Sequence, residues 1–145
     1  MSQQFYMAIK GQKQGVFRGE ATDAGRRGKW TEVVGFQYGT ETPVDSNGGL
    51  VSGHRRHKQF TITKENGVSS PQLLNAHLNA ELCGEVVIQV VGRPSSGGSE
   101  TIFHTITLTN ATITGYHRYV ASTGGKRRFL ENYVLEFEDI DFRRY

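Results

Sequence analysis

The chain has little cysteine, little proline and no long hydrophobic run. Cys83 is the only cysteine among 145 residues, which excludes an internal disulfide bond and any metal site built from several cysteines. No apolar run approaches membrane-spanning length, and the opening residues MSQQFYMAIKG lack a charged leader, an apolar core and a cleavage site. We therefore expect a protein that is soluble and cytoplasmic when made, with Cys83 a small packed residue at a helix end rather than a reactive thiol.

Length and charge indicate one domain with clustered positive charge. A chain of this length can bury a single core, so residues 1–145 are predicted to form one domain. The net charge of +3 is small. Most of the 17 Lys and Arg residues nevertheless fall in four groups, at residues 26–29, 55–58, 126–128 and 143–144.

Most of the chain alternates apolar and polar residues with the period of two that is typical of β-strands. In residues 30–39, for example, Val34, Phe36 and Tyr38 share one face. Glycine-rich turns separate about seven such segments, and strands do not alternate with helices, which favours an antiparallel sandwich or barrel. Near Glu138 to Asp139 the apolar phase changes, which predicts a β-bulge or a strand break.

One segment has helical features. Ser69 or Ser70 can cap a helix start, and Pro71 suits its first turn. The spacing predicts a single helix over about residues 71–82, docked on the sheet through an apolar stripe. The stripe consists of Leu73, Leu74, Leu78 and Leu82.

The sequence offers weak candidates for chemistry. His54 and His57 lie among cations that repel a metal ion, and on a strand they point to opposite faces. The basic groups have few interleaved aromatic residues, which argues against nucleic-acid binding. The acidic residues between 136 and 141 have no nucleophile nearby, so we interpret them as a solvated or intersubunit edge. No phosphate-binding glycine motif is present, and we expect no catalytic site, metal or cofactor.

Three stretches carry a resemblance to a known family: GEATDAGRRGKWTEVVGFQYG at 19–39, SGHRRHKQFTITKENGVSSPQLLNA at 52–76, and the closing ENYVLEFEDIDFRRY. They resemble the haemolysin-coregulated protein (Hcp) family, the tail-tube component of bacterial type VI secretion systems. The resemblance implies a mainly β fold, a β-barrel of two antiparallel sheets with one flanking helix. It also implies homohexameric rings that stack into a tube and carry effectors.

The resemblance further implies roles for particular residues and partners. Gln37, with Gly35 and Gly39, would face the lumen and contact cargo, while Phe36 and Tyr38 would be core. Other partners would be a VgrG-type spike and the sheath proteins, and the protein would be exported without a cleaved signal peptide. The long loop at 41–56 and the residues after it would reach neighbouring subunits. The candidates there are Asp45, Asn47, His54, Arg55, Arg56 and Lys58.

Two other functions stay open at this point. One is a tail-tube protein of another phage-like contractile machine, and the other is a small basic nucleic-acid-binding barrel. A structural role suits the absence of a catalytic motif. We hypothesise that Arg55, Arg56 and Lys58 meet acidic residues of an adjacent copy.

Overall fold

Strands make up most of the fold in a computed structural model that describes residues 3–21, 26, 28–41, 56–57, 59–92 and 101–144. These residues contain eleven strands and one helix. In chain order they are β1 (Gln3–Gly11), β2 (Gly15–Val16), β3 (Thr31–Val33), β4 (Gly35–Gln37), β5 (Thr40–Glu41), β6 (Arg56–His57), β7 (Phe60–Glu65), α1 (Ser70–Leu78), β8 (Cys83–Gly92), β9 (Thr101–Thr123), β10 (Lys126–Glu136) and β11 (Asp139–Arg144).

The long strand β9 belongs to two antiparallel sheets. Up to Ala111 it pairs with β8 and β11, and from Thr112 it pairs with β10. Asn110, with a φ of 52°, lies at this change of partner, and asparagine tolerates such a backbone better than most residues. Sheet A contains β1, β2, β3, β8, β11 and the first part of β9, whereas sheet B contains the rest of β9 with β10, β7 and β4.

Only Val34 separates β3 from β4, and it carries the chain from one sheet to the other. β3 pairs with β1 in sheet A, β4 pairs with β7 in sheet B, and the Val34 N–H donates to the Thr63 carbonyl at 2.7 Å. The barrel is thus bridged here by the backbone, although among the described strands its hydrogen-bonded ladder does not close. The predicted mainly β fold of two antiparallel sheets with one helix is confirmed.

The core lies between the two sheets. Phe60 and Ile62 of β7 are fully buried and share this core with Val86 and Ile88 of β8. Alternation explains the arrangement, because each strand turns every second side chain inward. The predicted break near Glu138 is also confirmed, since β10 ends at Glu136 and β11 begins at Asp139.

The helix differs from its prediction in length and in docking face. It ends at Leu78 rather than at residue 82, and Ala80 follows with a φ of 49°. Leu73 is buried, but Leu78 is 72% exposed, so the predicted stripe of leucines at every fourth position was wrong. The buried positions are three apart, Leu73 and Ala76, which is the other spacing that places residues on one helix face.

Candidate functional site

Part of the outer face of sheet A is covered by the segment between β2 and β3. Trp30 and Ala21, from the segment between β2 and β3, pack with Tyr6 and Val91 of this sheet. The Arg26 guanidinium lies 4.4 Å from the centre of the Tyr6 ring, a cation–π contact. By contrast, Gln37 and His117 on the outer face of sheet B are exposed.

β4 supplies the edge of that face. Phe36 and Tyr38 turn inward, where their rings lie 5.5 and 5.8 Å from the centre of the Phe60 ring. Gln37 is exposed on the other side, and Gly35 and Gly39 are partly exposed. The prediction that Phe36 and Tyr38 belong to the core is therefore confirmed, and Gln37 has the outward position that alternation predicted.

The outer face of sheet B carries two cross-strand rows without Lys, Arg, Asp or Glu, and toward the β9–β10 turn the same face adds the Glu65–Arg128 ion pair. Sequence reasoning identified only the members in β4. Alternation could also have identified Thr61 and Thr63 of β7, because they point to the face opposite the apolar Phe60 and Ile62. The row members in β9 and β10 could not be found this way, because they depend on how the strands pair. The rows are Gln37–Thr61–Val134–Gly115 and Gly35–Thr63–Asn132–His117.

Contacts within this face keep it smooth and polar. The Thr63 hydroxyl donates to the Asn132 amide oxygen at 2.8 Å, and the Tyr119 hydroxyl reaches the same oxygen at 3.4 Å. Gly115 leaves room for Val134, because a Cβ at this glycine would lie 3.2 Å from the Val134 Cβ. The face can therefore offer hydrogen bonds without a large apolar patch.

Beneath this face lies a buried ion pair. Lys64 and Glu131 are cross-strand neighbours of β7 and β10 that point inward, with Nζ 3.5 Å from Oε1. The Lys64 ammonium also donates to the Glu65 carbonyl at 2.6 Å and to the Ser70 hydroxyl at 3.2 Å, and lies 3.2 Å from Glu20 Oε1. A buried charge needs such partners, because its desolvation is costly.

Three hydroxyl groups complete the surroundings of Glu131. Ser70 and Tyr133 donate to its Oε1 at 2.6 and 3.0 Å, and Tyr116 donates to its Oε2 at 3.2 Å. Burial, together with the Glu131 carboxylate, raises the pKa of both phenols and keeps them protonated as donors. The carboxylate is thus engaged by the protein itself, which is the arrangement of a structural network rather than of a catalytic acid.

Glu20 connects the N-terminal part of the chain to this network. Its Oε1 accepts hydrogen bonds from the Ser69 N–H and hydroxyl at 3.0 and 2.8 Å. Burial raises the pKa of Glu20, but these hydrogen bonds and the Lys64 ammonium outweigh it, so the pKa is lowered. The predicted side-chain capping of the helix is wrong for Ser69, which forms no capping hydrogen bond and contacts Glu20 instead. Ser70 is the first residue of the helix, and its hydroxyl contacts Glu131.

A second buried carboxylate, Glu81, lies just after the helix. Its Oε2 accepts the backbone N–H groups of Lys13 and Gln14 at 2.9 and 2.8 Å. The helix end itself is closed by hydrogen bonds from the Ala80 and Glu81 N–H groups to the His77 and Ala76 carbonyls, at 3.2 and 2.9 Å. Burial raises the pKa of Glu81, but the hydrogen bonds from Lys13 and Gln14 lower it further than burial raises it. Burial and the nearby Glu81 raise the pKa of the Cys83 thiol to about 11, so this thiol stays protonated and unreactive.

We expect stability to fall in acid because of Glu20 and Glu81. In the folded state the pKa values of both carboxyl groups lie below their ordinary value of 4.5. The stabilisation from these two groups is therefore complete above pH 4.5, and it is lost as the pH falls from 4.5 toward the folded-state pKa. Chemical denaturation between pH 7 and pH 3 measures this loss. Glu81→Gln should show a shallower decline over this range than the unmodified chain, and an equally steep decline would contradict the assignment.

Several predicted residues receive no structural description. Asp45, Asn47, His54, Arg55 and Lys58 lie outside the described residues, and Arg56 is described only as backbone, opposite Glu41 in the β5–β6 pair.

The four acidic residues at 136–141 are exposed. Within the described ranges, no three His, Cys, Asp or Glu residues are placed to hold a metal ion. No helix in that part of the chain is long and apolar enough to cross a membrane.

Comparison with known proteins decides the family. The sequence profile of the family described as "Type VI secretion system effector, Hcp" matches residues 6–143. The chain belongs to the Hcp family. Hcp membership makes it a tube subunit of the type VI secretion system, as the resemblance predicted.

Relatives of known sequence and structure agree with this assignment. The "Major exported protein" of Pseudomonas aeruginosa is 32% identical over 123 residues, which cover 79% of this Hcp chain and 71% of that protein. The solved structure of the secreted protein Hcp3 from the same species has a TM-score of 0.77 at 25% identity, covering 99% and 91% of the two chains. Hcp1 from E. coli EAEC 042 has a TM-score of 0.85 at 23% identity, covering 97% and 91%.

Proposed function

We propose that this Hcp chain forms hexameric rings that stack into the inner tube, and that the outer face of sheet B lines the channel. The observation that carries this proposal is the composition of that face. Its two cross-strand rows contain no Lys, Arg, Asp or Glu, and the charged residues Glu65 and Arg128 toward the β9–β10 turn pair with each other. The polar members of the rows can form hydrogen bonds with a passing protein. Such a wall contacts cargo without the strong adhesion of an apolar or highly charged surface.

The edges of sheet B support lateral assembly. Within the described residues, β4 and the second part of β9 are its outermost strands, each paired on one side only. His77 Nδ1 lies 2.9 Å from the Ile113 carbonyl, so the helix covers the start of the β9 edge and leaves the remainder of that edge open. Unpaired strand edges bind other strands, and we propose that neighbouring subunits join β4 to β9 around the ring.

The remaining partners follow from the family. We propose that effectors contact Gln37, Gly35 and Gly39 inside the channel, and that the loop at 41–56 with Arg55, Arg56 and Lys58 reaches neighbouring subunits. The spike and sheath proteins would hold the tube, which would assemble in the cytoplasm and leave the cell without a cleaved signal peptide. The name of the Pseudomonas relative, "Major exported protein", supports export. The role is structural rather than enzymatic.

Cysteine labelling tests the channel assignment. Because the Cys83 thiol is buried and protonated, a cysteine introduced at Gln37 would be the reactive thiol of the protein. In purified hexameric rings we expect Gln37→Cys to react quickly with a small maleimide, and at least about tenfold more slowly with a polymer-linked maleimide that cannot enter a narrow channel.

Leu78→Cys is the matched control, because the Leu78 side chain is exposed on the helix and is not part of the outer face of sheet B. It should react with both reagents at similar rates. Equal access of the polymer reagent to positions 37 and 78 in intact rings would contradict a channel-lining role. Negative-stain images of the same samples must show six-fold rings.

A further inference from the structure

The hairpin formed by β9 and β10 projects beyond the strand that flanks it. β7 pairs with β10 only from Leu130 to Leu135, so residues 126–129 have β9 as their sole strand partner among the described residues. Gly124 and Gly125 form the turn, with positive φ angles of 58° and 80°, which suit a tight two-residue hairpin. We call residues 118–129 the hairpin tip.

The hairpin tip combines exposed apolar and cationic side chains. Val120 and Phe129 are cross-strand neighbours and remain 53% and 56% exposed. Lys126 and Arg127 are exposed beside them, and no ion pair within the described chain neutralises either one. The third cation of this run, Arg128, is neutralised by a glutamate of β7. An apolar centre with a charged rim is the usual composition of a protein interface.

The opposite end of β10 has the complementary charge. The stretch at 136–141, which we call the acidic turn, carries four exposed carboxylates. Asp141 forms an ion pair with Arg143 at 3.1 Å. The exposed ring of Phe142 lies directly after this turn. The four carboxylates belong to Glu136, Glu138, Asp139 and Asp141.

These two surfaces are too far apart to neutralise each other within one copy. β10 has 11 residues, so its ends lie about 33 Å apart, well beyond the screening length of roughly 8–10 Å at physiological salt. A partner outside the chain can therefore supply the opposite charge to each surface. Opposite charges at two different places on one subunit favour a heterologous, head-to-tail contact that can repeat along a filament.

We propose that the hairpin tip of one copy binds the acidic turn of a second copy in the next ring, so that rings stack head to tail. This inference rests on the proposed function: when sheet B lines the channel, the two ends of β10 lie at opposite faces of the ring. Phe129 and Val120 then meet the apolar residues beside the acidic turn, while Lys126 and Arg127 face its carboxylates.

Charge reversal in two separate proteins tests this contact. Lys126→Glu with Arg127→Glu makes the hairpin tip acidic, like the acidic turn. Glu136→Lys with Glu138→Lys and Asp139→Lys makes the turn basic, like the hairpin tip, because the remaining carboxylate, Asp141, is paired with Arg143. Each variant alone should keep hexameric rings and its thermal unfolding temperature but lose stacking, with the ring–ring association constant lowered by on the order of 100-fold, because weak exposed pairs repeated around a ring act together. Mixed in equal amounts, the two variants should stack as alternating rings.

The control for the hairpin-tip variant is Lys10→Glu with Lys29→Glu, which lowers the net charge by the same amount at exposed positions outside both surfaces and should leave stacking unchanged. Sedimentation velocity and negative-stain microscopy report rings and stacks separately. Unchanged stacking of either reversal variant overturns the proposal, and so does a mixture that fails to stack, because a second copy is then not the partner. Absence of rings from the wild-type protein contradicts the proposed function itself, and with it this contact.

Discussion

Replacing Lys64 by methionine is expected to lower the free energy of unfolding by about 3–5 kcal/mol. The ammonium group is fully buried between the carboxylates of Glu131 and Glu20. Methionine fills a similar volume but leaves the Glu131 carboxylate buried without a cation, and an uncompensated buried charge is the costly state. Denaturant unfolding monitored by circular dichroism measures the loss.

Arg128→Met is the matched control for this prediction. It also removes a cation that faces a glutamate across the strands, but the Arg128–Glu65 pair lies at the surface, with side chains 37% and 54% exposed. We expect it to cost less than about 1 kcal/mol. Equal losses for the two variants would show that burial of the Lys64 pair does not matter.

A double variant separates the lost charge from lost packing. Lys64→Met combined with Glu131→Gln removes both charges while keeping an acceptor for the Ser70 and Tyr133 hydroxyls. It should recover roughly half or more of the stability lost by Lys64→Met alone. No recovery would assign the loss to packing around residue 64 instead.

Alternation in the sequence predicted much of the fold but not the buried charges. The same period of two that places Phe60 and Ile62 inward also places Lys64 inward, and it aligns Glu131 with Tyr133. Lysine and glutamate are rarely buried in proteins, so the alternation predicts an inward position for Lys64 and Glu131 that their residue types argue against. Only the pairing of β7 with β10, which are distant in sequence, resolves the conflict by making the two charges neighbours.

The helix shows the complementary failure. Leucines at every fourth position predicted both its length and its docking face, yet Leu78 is exposed and the helix ends there. Ala80 at positive φ closes the helix locally, and Glu81 then contacts the backbone of Lys13 and Gln14, a contact between distant segments that no local pattern contains. Alternation in the sequence could place Gln37 on the proposed channel wall. It could not place Asn132 and Gly115 there, because their positions depend on the pairing of strands that are distant in sequence.

Phe60→Ala is expected to lower the free energy of unfolding by about 3–5 kcal/mol. The ring is fully buried, stacked on Phe36 at an interplanar angle of 8° and tilted against Tyr38 at 35°. Those two aromatic residues flank Gln37 in the chain, so the cavity removes the support that fixes the proposed channel edge. We therefore expect the rings of this variant to dissociate at lower denaturant concentration than wild-type rings.

Phe129→Ala removes the same side chain from an exposed position and separates stability from assembly. Because the Phe129 ring is more than half exposed at the hairpin tip, we expect a change in unfolding free energy within about 0.5 kcal/mol. Stacking of rings should nevertheless weaken, because the ring is the apolar centre of the proposed contact. Phe60→Ala would then impair folding and rings, and Phe129→Ala only the stacks. A large loss of stability in Phe129→Ala, or intact stacking, would contradict this division between core and contact surface.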